Sequence, residues 1–179
     1  NKGIGGRIGL IPFANSSLEV GLSGTTGIAG DANDPATKDV RASALAVDFS
    51  YVKSLSSINS IIGIKGQFSA LNVDKANYAS SDSTTYTYDN KLQSFFAQFS
   101  FRPANVNSTF LKNLEFLYRY NSLTPPEDAL WGGQPITRHD IGLCYWLSWR
   151  TGLRVAYETT SRKDSETSNE ILARFVMGF

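Results

Sequence analysis

Glu170-Ile171-Leu172-Ala173-Arg174-Phe175-Val176-Met177-Gly178-Phe179 separates into two sets when it is counted in twos. Ile171, Ala173, Phe175, Met177 and Phe179 are all apolar, whereas Glu170, Leu172, Arg174, Val176 and Gly178 include both charges. A period of two marks a β-strand whose faces meet different surroundings. In a soluble sandwich the apolar set turns inward, and in an outer-membrane barrel it turns outward into lipid.

Working back from that stretch, the same alternation recurs eight times. Gly6, Ile8 and Leu10 alternate with Gly5, Arg7 and Gly9; Leu18, Val20 and Leu22 with Glu19, Gly21 and Ser23; Leu45, Val47, Phe49 and Tyr51 with Ala44, Ala46, Asp48 and Ser50. Ile62, Ile64, Gly66 and Phe68 stand against Gly63, Lys65, Gln67 and Ser69. Phe95, Ala97, Phe99 and Phe101 stand against Ser94, Phe96, Gln98, Ser100 and Arg102, with Phe96 an intruder on the polar face. Leu114, Phe116, Tyr118 and Tyr120 follow, then Ile141, Leu143, Tyr145 and Leu147, then Leu153, Val155 and Tyr157. Nine strands use nearly the whole chain.

The connections alternate as well. Segments 14–17, 53–59 and 149–152 are short or moderate, while 28–40, 72–90, 122–137 and 161–169 are long and polar; 104–113 is longer than a tight turn needs. Short turns on one rim and long loops on the other belong to an up-and-down membrane barrel. Phe13, Tyr51, Phe101, Phe110, Phe116, Tyr120, Trp149 and Phe179 are placed to form interfacial girdles.

Composition narrows the function classes. With 179 residues the chain makes one domain, and a net charge of +1 gives no field suited to nucleic acid. No apolar run approaches the roughly 20 residues of a membrane helix. The single Cys144 excludes an internal disulfide, and one Cys with one His gives no metal-ligand spacing. Asp31-Ala32-Asn33-Asp34 lacks the twelve-residue calcium pattern, and Gly3-Ile4-Gly5-Gly6-Arg7-Ile8-Gly9 lacks the helix of a dinucleotide fingerprint. His139-Asp140 has no serine in a nucleophile elbow, so no enzyme and no cofactor is expected, and His139 reads as a strand-start residue at the aqueous interface. Tyr78, Tyr86 and Tyr88 lie in a Ser/Thr-rich loop, and Pro125-Pro126 with Trp131-Gly132-Gly133 marks a second loop.

The minority face supplies the candidate site. Arg7, Glu19, Asp48, Lys65, Arg102, Glu115, Arg119, Arg154, Glu158 and Arg174, with Glu170, all oppose the apolar set and are expected to line a pore. Cations and anions nearly balance, which argues against strong anion selectivity. Pairing across neighbouring strands, at roughly 0.2 to 1 kcal/mol per pair, is the plainer role for most of them. Arg102 and Arg119 are the preferred solute-facing cations.

The stretch from Gly5 to Gly24 (GGRIGLIPFANSSLEVGLSG), the run FFAQFSFRP and the run LKNLEFLYRYNSL resemble the carboxyl-terminal half of Gram-negative porins related to the phosphate-selective porin O/P family. The resemblance implies an all-β, antiparallel up-and-down transmembrane β-barrel, of which these are the last nine or so of about sixteen strands. Nine strands closing on themselves would pair the first and last in parallel, so an incomplete carboxyl-terminal portion is expected. The implied function is passive diffusion of small hydrophilic solutes or ions across a bacterial outer membrane. Outer-membrane lipid, the outer-membrane assembly machinery and such solutes are the implied partners, with a homotrimer among the arrangements porins adopt. Phe175, Met177 and Phe179 resemble the terminal signal read by that machinery, although Arg174 stands where the signal favours Gly. The alternatives left open are a small or plugged barrel with structural or adhesive loops, and a soluble ligand-binding β-barrel.

Overall fold

The computed structural model describes residues 3–13, 17–35, 37–76, 78–79, 85–87, 90–126, 133–163 and 165–177. The strands are β1 (Gly3–Leu10), β2 (Leu18–Ile28), β3 (Arg41–Leu55), β4 (Ser60–Val73), β5 (Tyr78–Ala79), β6 (Thr85–Tyr86), β7 (Asn90–Arg102), β8 (Leu114–Thr124), β9 (Ile136–Trp146), β10 (Thr151–Arg162) and β11 (Ser168–Met177). Nine of them form one sheet in the order β1-β2-β3-β4-β7-β8-β9-β10-β11. Every neighbouring pair is antiparallel, so the chain runs up and down without a crossover. β5 and β6 make a separate small hairpin inside the β4–β7 connection.

Nine strands in one sheet match the alternation, but several run further than it indicates. β3 extends to 15 residues and β4 to 14, past the apolar positions and into polar ladders such as Ser43↔Asn72. His139 is therefore the fourth residue of β9 and not its start. Apolar periodicity ends where the surroundings change, whereas backbone pairing needs only a partner strand.

The turns have local causes. Between β3 and β4 a 3₁₀ turn over Ser56–Ile58 ends at Asn59, whose φ of 50° is a left-handed conformation that Asn tolerates. The 104–113 connection is long because it holds a one-turn helix, α1 (Thr109–Lys112), capped by Ser108 Oγ, which accepts from Leu111 N at 3.3 Å. Past β9, Ser148 Oγ accepts from Arg150 N and Thr151 N at 3.2 and 3.1 Å and closes the turn into β10.

No second layer covers this sheet among the described residues. The buried apolar side chains are Ala76, Leu117, Cys144 and Ala156, while Ile8, Leu22, Val47, Phe68, Leu143, Val155 and Ile171 are 45–76 % exposed. The total accessible area is 12030 Å² for 19.6 kDa. A compact monomer of that mass exposes about 8,600 Å². The sheet folds as a single wall and does not bury its own apolar face. β1 and β11 each pair on one side only, so the sheet is open among the described residues.

Candidate functional site: the two faces of the wall

Strand pairing brings the apolar sets of all nine strands onto one face. Read along the hydrogen-bonded rows, that face is not level. The row of Ile8, Leu22, Val47, Phe68 and Phe95 turns polar at Ser122, Thr137 and Ser161. A second row starts polar at Lys53 and becomes apolar through Ile62, Phe101, Phe116, Leu143, Val155 and Ala173.

The drift has a magnitude. Toward the long loops, the first polar position on this face is Thr26 on β2 and Asn169 on β11. Carried to β4 by the pairing, their rows arrive at Asn72 and Gly66, which are 6 residues apart after seven strand-to-strand steps. At about 3.3 Å per residue and about 4.8 Å between strands, the belt crosses the strands at an inclination of about 30°. On β4 it runs from Ile62 to Ala70 and is about 23 Å tall after that inclination.

The opposite face carries the candidate pore charges and is concave across β7–β11. Phe96 of β7 and Glu170 of β11 line one cavity of about 670 Å³ with Arg119, Arg138, Glu158 and Arg162, although β8, β9 and β10 lie between those strands. Crowding on this face buries Gly63, Leu117, Gly142 and Ala156 in one row, and leaves Cys144 only 2 % exposed.

At the β1 end the charges form one clamp. Arg7 Nη2 lies 2.6 Å from Asp48 Oδ1 and 3.3 Å from Glu19 Oε1. The Asp48 bond spans from β1 to β3, and bare Gly21 on β2 makes the path: a Cβ there would sit 2.5 Å from both Arg7 Nη2 and Asp48 Oδ2.

The β8–β11 end is a network. Directly opposed partners on β10 and β11 have like charge, Arg154↔Arg174 and Glu158↔Glu170. Such pairs destabilise a ladder. A diagonal bond answers this, with Arg174 Nη2 donating to Glu158 Oε1 at 2.8 Å. Arg138 Nη1 adds a contact to Glu158 Oε2 at 3.4 Å, and Arg138 Nε sits 3.0 Å from Asp140 Oδ1 as an ion pair outside hydrogen-bond geometry. Arg119 donates through Nε to Asn121 Oδ1 at 2.8 Å, and its guanidinium lies 4.1 Å from the ring centre of Phe96. Phe96, the intruder on the polar face, is thus a cation platform.

The remaining candidates are placed as follows. Arg102 Nε donates to the Lys112 carbonyl at 2.7 Å, near α1, and Glu115 Oε2 accepts from Trp146 Nε1 at 2.6 Å. Lys65 and Arg154 make no ion pair or hydrogen bond through their side chains among the described residues. Arg102 and Arg119, the cations expected from the sequence to face solute, are tied to the Lys112 carbonyl and to Asn121, whereas Lys65 and Arg154 have fewer ties. Arg138 and Asp140, which were not among the residues expected to line a pore, belong to the charged network, while His139 faces the other way with Nδ1 2.9 Å from Tyr118 Oη. Their parity in the β9 alternation was the available signal. Phe175 and Met177 lie on the apolar face, 60 and 51 % exposed; Phe179, Tyr88 and Trp131 lie outside the described residues.

No metal-holding group of His, Cys, Asp and Glu occurs among the described residues. Comparison with protein-family models, curated proteins and solved structures gave no match.

Proposed function

We propose that the chain forms part of the wall of a bacterial outer-membrane β-barrel porin, through which small hydrophilic solutes or ions diffuse passively. The observation that carries this is the slanted apolar belt backed by a concave charged face. Its inclination of about 30° is near the 35–45° strand tilt of such barrels, and its height of about 23 Å is near their apolar band of about 25 Å. A wall tilted in this way would hold the belt parallel to a bilayer. A soluble sandwich or ligand-binding barrel would instead turn large side chains such as Leu143 and Val155 inward, and here they are 50 and 55 % exposed.

The water-filled side in this reading is the concave face, whose mixed cations and anions favour weak selectivity. Most of the candidate charges pair along the wall, and among the described candidates Lys65 and Arg154 are cations left to meet a passing solute. β1 and β11 run in the same direction, so antiparallel closure takes an odd number of further strands between them. Phe175 and Met177, with Phe179, are assigned to recognition by the outer-membrane assembly machinery. On this reading the sequence likeness to phosphate-selective porins extends to architecture, and phosphate selectivity is not carried over.

The test is conductance of the full-length folded protein in a planar lipid bilayer. Stepwise, ohmic current increments are expected. A folded, membrane-inserted protein that leaves the bilayer insulating would overturn the porin reading in favour of a plugged barrel.

A further inference from the structure

The net charge of +1 hides a strong segregation along the strands. The four long connections, 29–40, 74–89, 125–135 and 163–167, hold ten Asp or Glu and three Lys. The four short ones, 11–17, 56–59, 103–113 and 147–150, hold Lys112 and Arg150 and no acid. The long connections are acidic, and the short ones carry cations only.

The two cations of the short-turn rim each stand beside exposed aromatic side chains. Phe110 of α1 stacks on Tyr145 of β9 with ring centres 5.5 Å apart, and Trp146 N donates to the Asn113 carbonyl at 2.8 Å, which ties the end of α1 to the start of the next turn. Lys112, next to Asn113, is exposed, and the Arg150 guanidinium lies 3.8 Å from the ring centre of Trp149. Phe110, Leu147 and Trp149 are 60, 57 and 79 % exposed. Apolar side chains beside two cations, with no carboxylate in either connection, complement an acyl chain ending in a negatively charged phosphodiester.

We propose that this rim is a docking site for an anionic phospholipid, its phosphodiester held by Lys112 and Arg150 and its glycerol and upper acyl region lying against Phe110, Tyr145, Leu147 and Trp149. The ammonium supplies a point charge, and the guanidinium supplies a planar fork to the phosphate oxygens. The inference rests on the membrane reading, and its test separates the two. Full-length protein is refolded into phosphatidylcholine vesicles and into vesicles with phosphatidylglycerol added, and lipid adducts of the micelle-extracted protein are titrated by native mass spectrometry.

Phosphatidylglycerol is expected to bind at least about tenfold tighter than phosphatidylcholine, from about fivefold per cation near an anionic lipid. Lys112→Gln with Arg150→Gln should abolish the preference, and Lys112→Arg with Arg150→Lys should retain it, both with an unchanged far-UV spectrum. Glycerol phosphate in solution should not displace the lipid. Insertion into both vesicles with equal adduct affinities, a preference that survives the double Gln variant, or displacement by glycerol phosphate would overturn the proposal and leave the membrane reading standing. Failure to insert into either vesicle would overturn both.

Discussion

The two ends of the sheet share one face and differ on the other. Across β1–β3 and β8–β11 alike, large apolar side chains stand exposed on the apolar face. On the charged face, β1–β3 hold a single guanidinium between two carboxylates in a wall made bare by Gly9 and Gly21. β8–β11 instead interlock Arg138, Asp140, Glu158 and Arg174 over a buried row. On the porin reading the apolar face has to satisfy one medium all along the wall, whereas the polar face meets water and is free to vary. Stiffness on the charged face is therefore local, concentrated where like charges oppose and a diagonal bond must resolve them.

The largest effect should come from the face the two ends share. Val47→Arg places a charge at the centre of the belt and is expected to cost about 2–4 kcal/mol in urea unfolding from vesicles, whereas Ser122→Arg, in the same hydrogen-bonded row, should cost about 0–1 kcal/mol. Equal penalties would mean that the belt is level with the rows and the inclination has no physical meaning.

Next comes the network. Glu158 is 5 % exposed and receives two guanidinium groups that are themselves 39 and 48 % exposed. Glu158→Gln should destabilise the protein by about 2 kcal/mol, below the 3–5 kcal/mol of a fully buried pair because water reaches both arginines. The same titration reads it, and an unchanged midpoint would show that the diagonal bond does not hold β9, β10 and β11 together.

Phe96→Ala removes the platform under Arg119 and should cost about 1 kcal/mol, the middle of the range for a partly desolvated cation over a ring. Phe96→Trp should restore it. If Ala and Trp behave alike, the contact is incidental.

The smallest global effect, and the most local, belongs to the clamp. Gly21→Ala fills the path between Arg7 and Asp48, and amide hydrogen exchange should quicken along β1 while β8–β11 keep their protection. Faster exchange spread over all nine strands would contradict the independence of the two ends.

Much of the wall was legible in the alternation because face parity is a local property of a strand. Leu45 to Tyr51 and Ile171 to Met177 could be assigned to a face without any knowledge of their neighbours. Register could not, because it depends on which residue of the next strand sits opposite, and the belt's slant exists only in register. The same limit hid the clamp: Arg7 and Asp48 are 41 residues apart, and only the pairing shows that Gly21 lies between them. Phe96 looked like an error in the pattern because a cation–π contact leaves no periodic trace. His139 was misplaced for a different reason, since the apolar run ends two residues after it on the way to the loop while β9 continues to Ile136.

The porin reading requires the apolar face to meet lipid and the charged face to meet water. Single spin labels at positions 44 through 51 of β3, in a Cys144→Ser protein refolded into lipid vesicles, test it by comparing accessibility to oxygen and to a water-soluble nickel chelate. A strict period of two is expected, with positions 45, 47, 49 and 51 favouring oxygen and 44, 46, 48 and 50 favouring nickel. Labels at 45, 47, 49 and 51 shielded from both reagents would mean that protein covers that face, and would contradict the account.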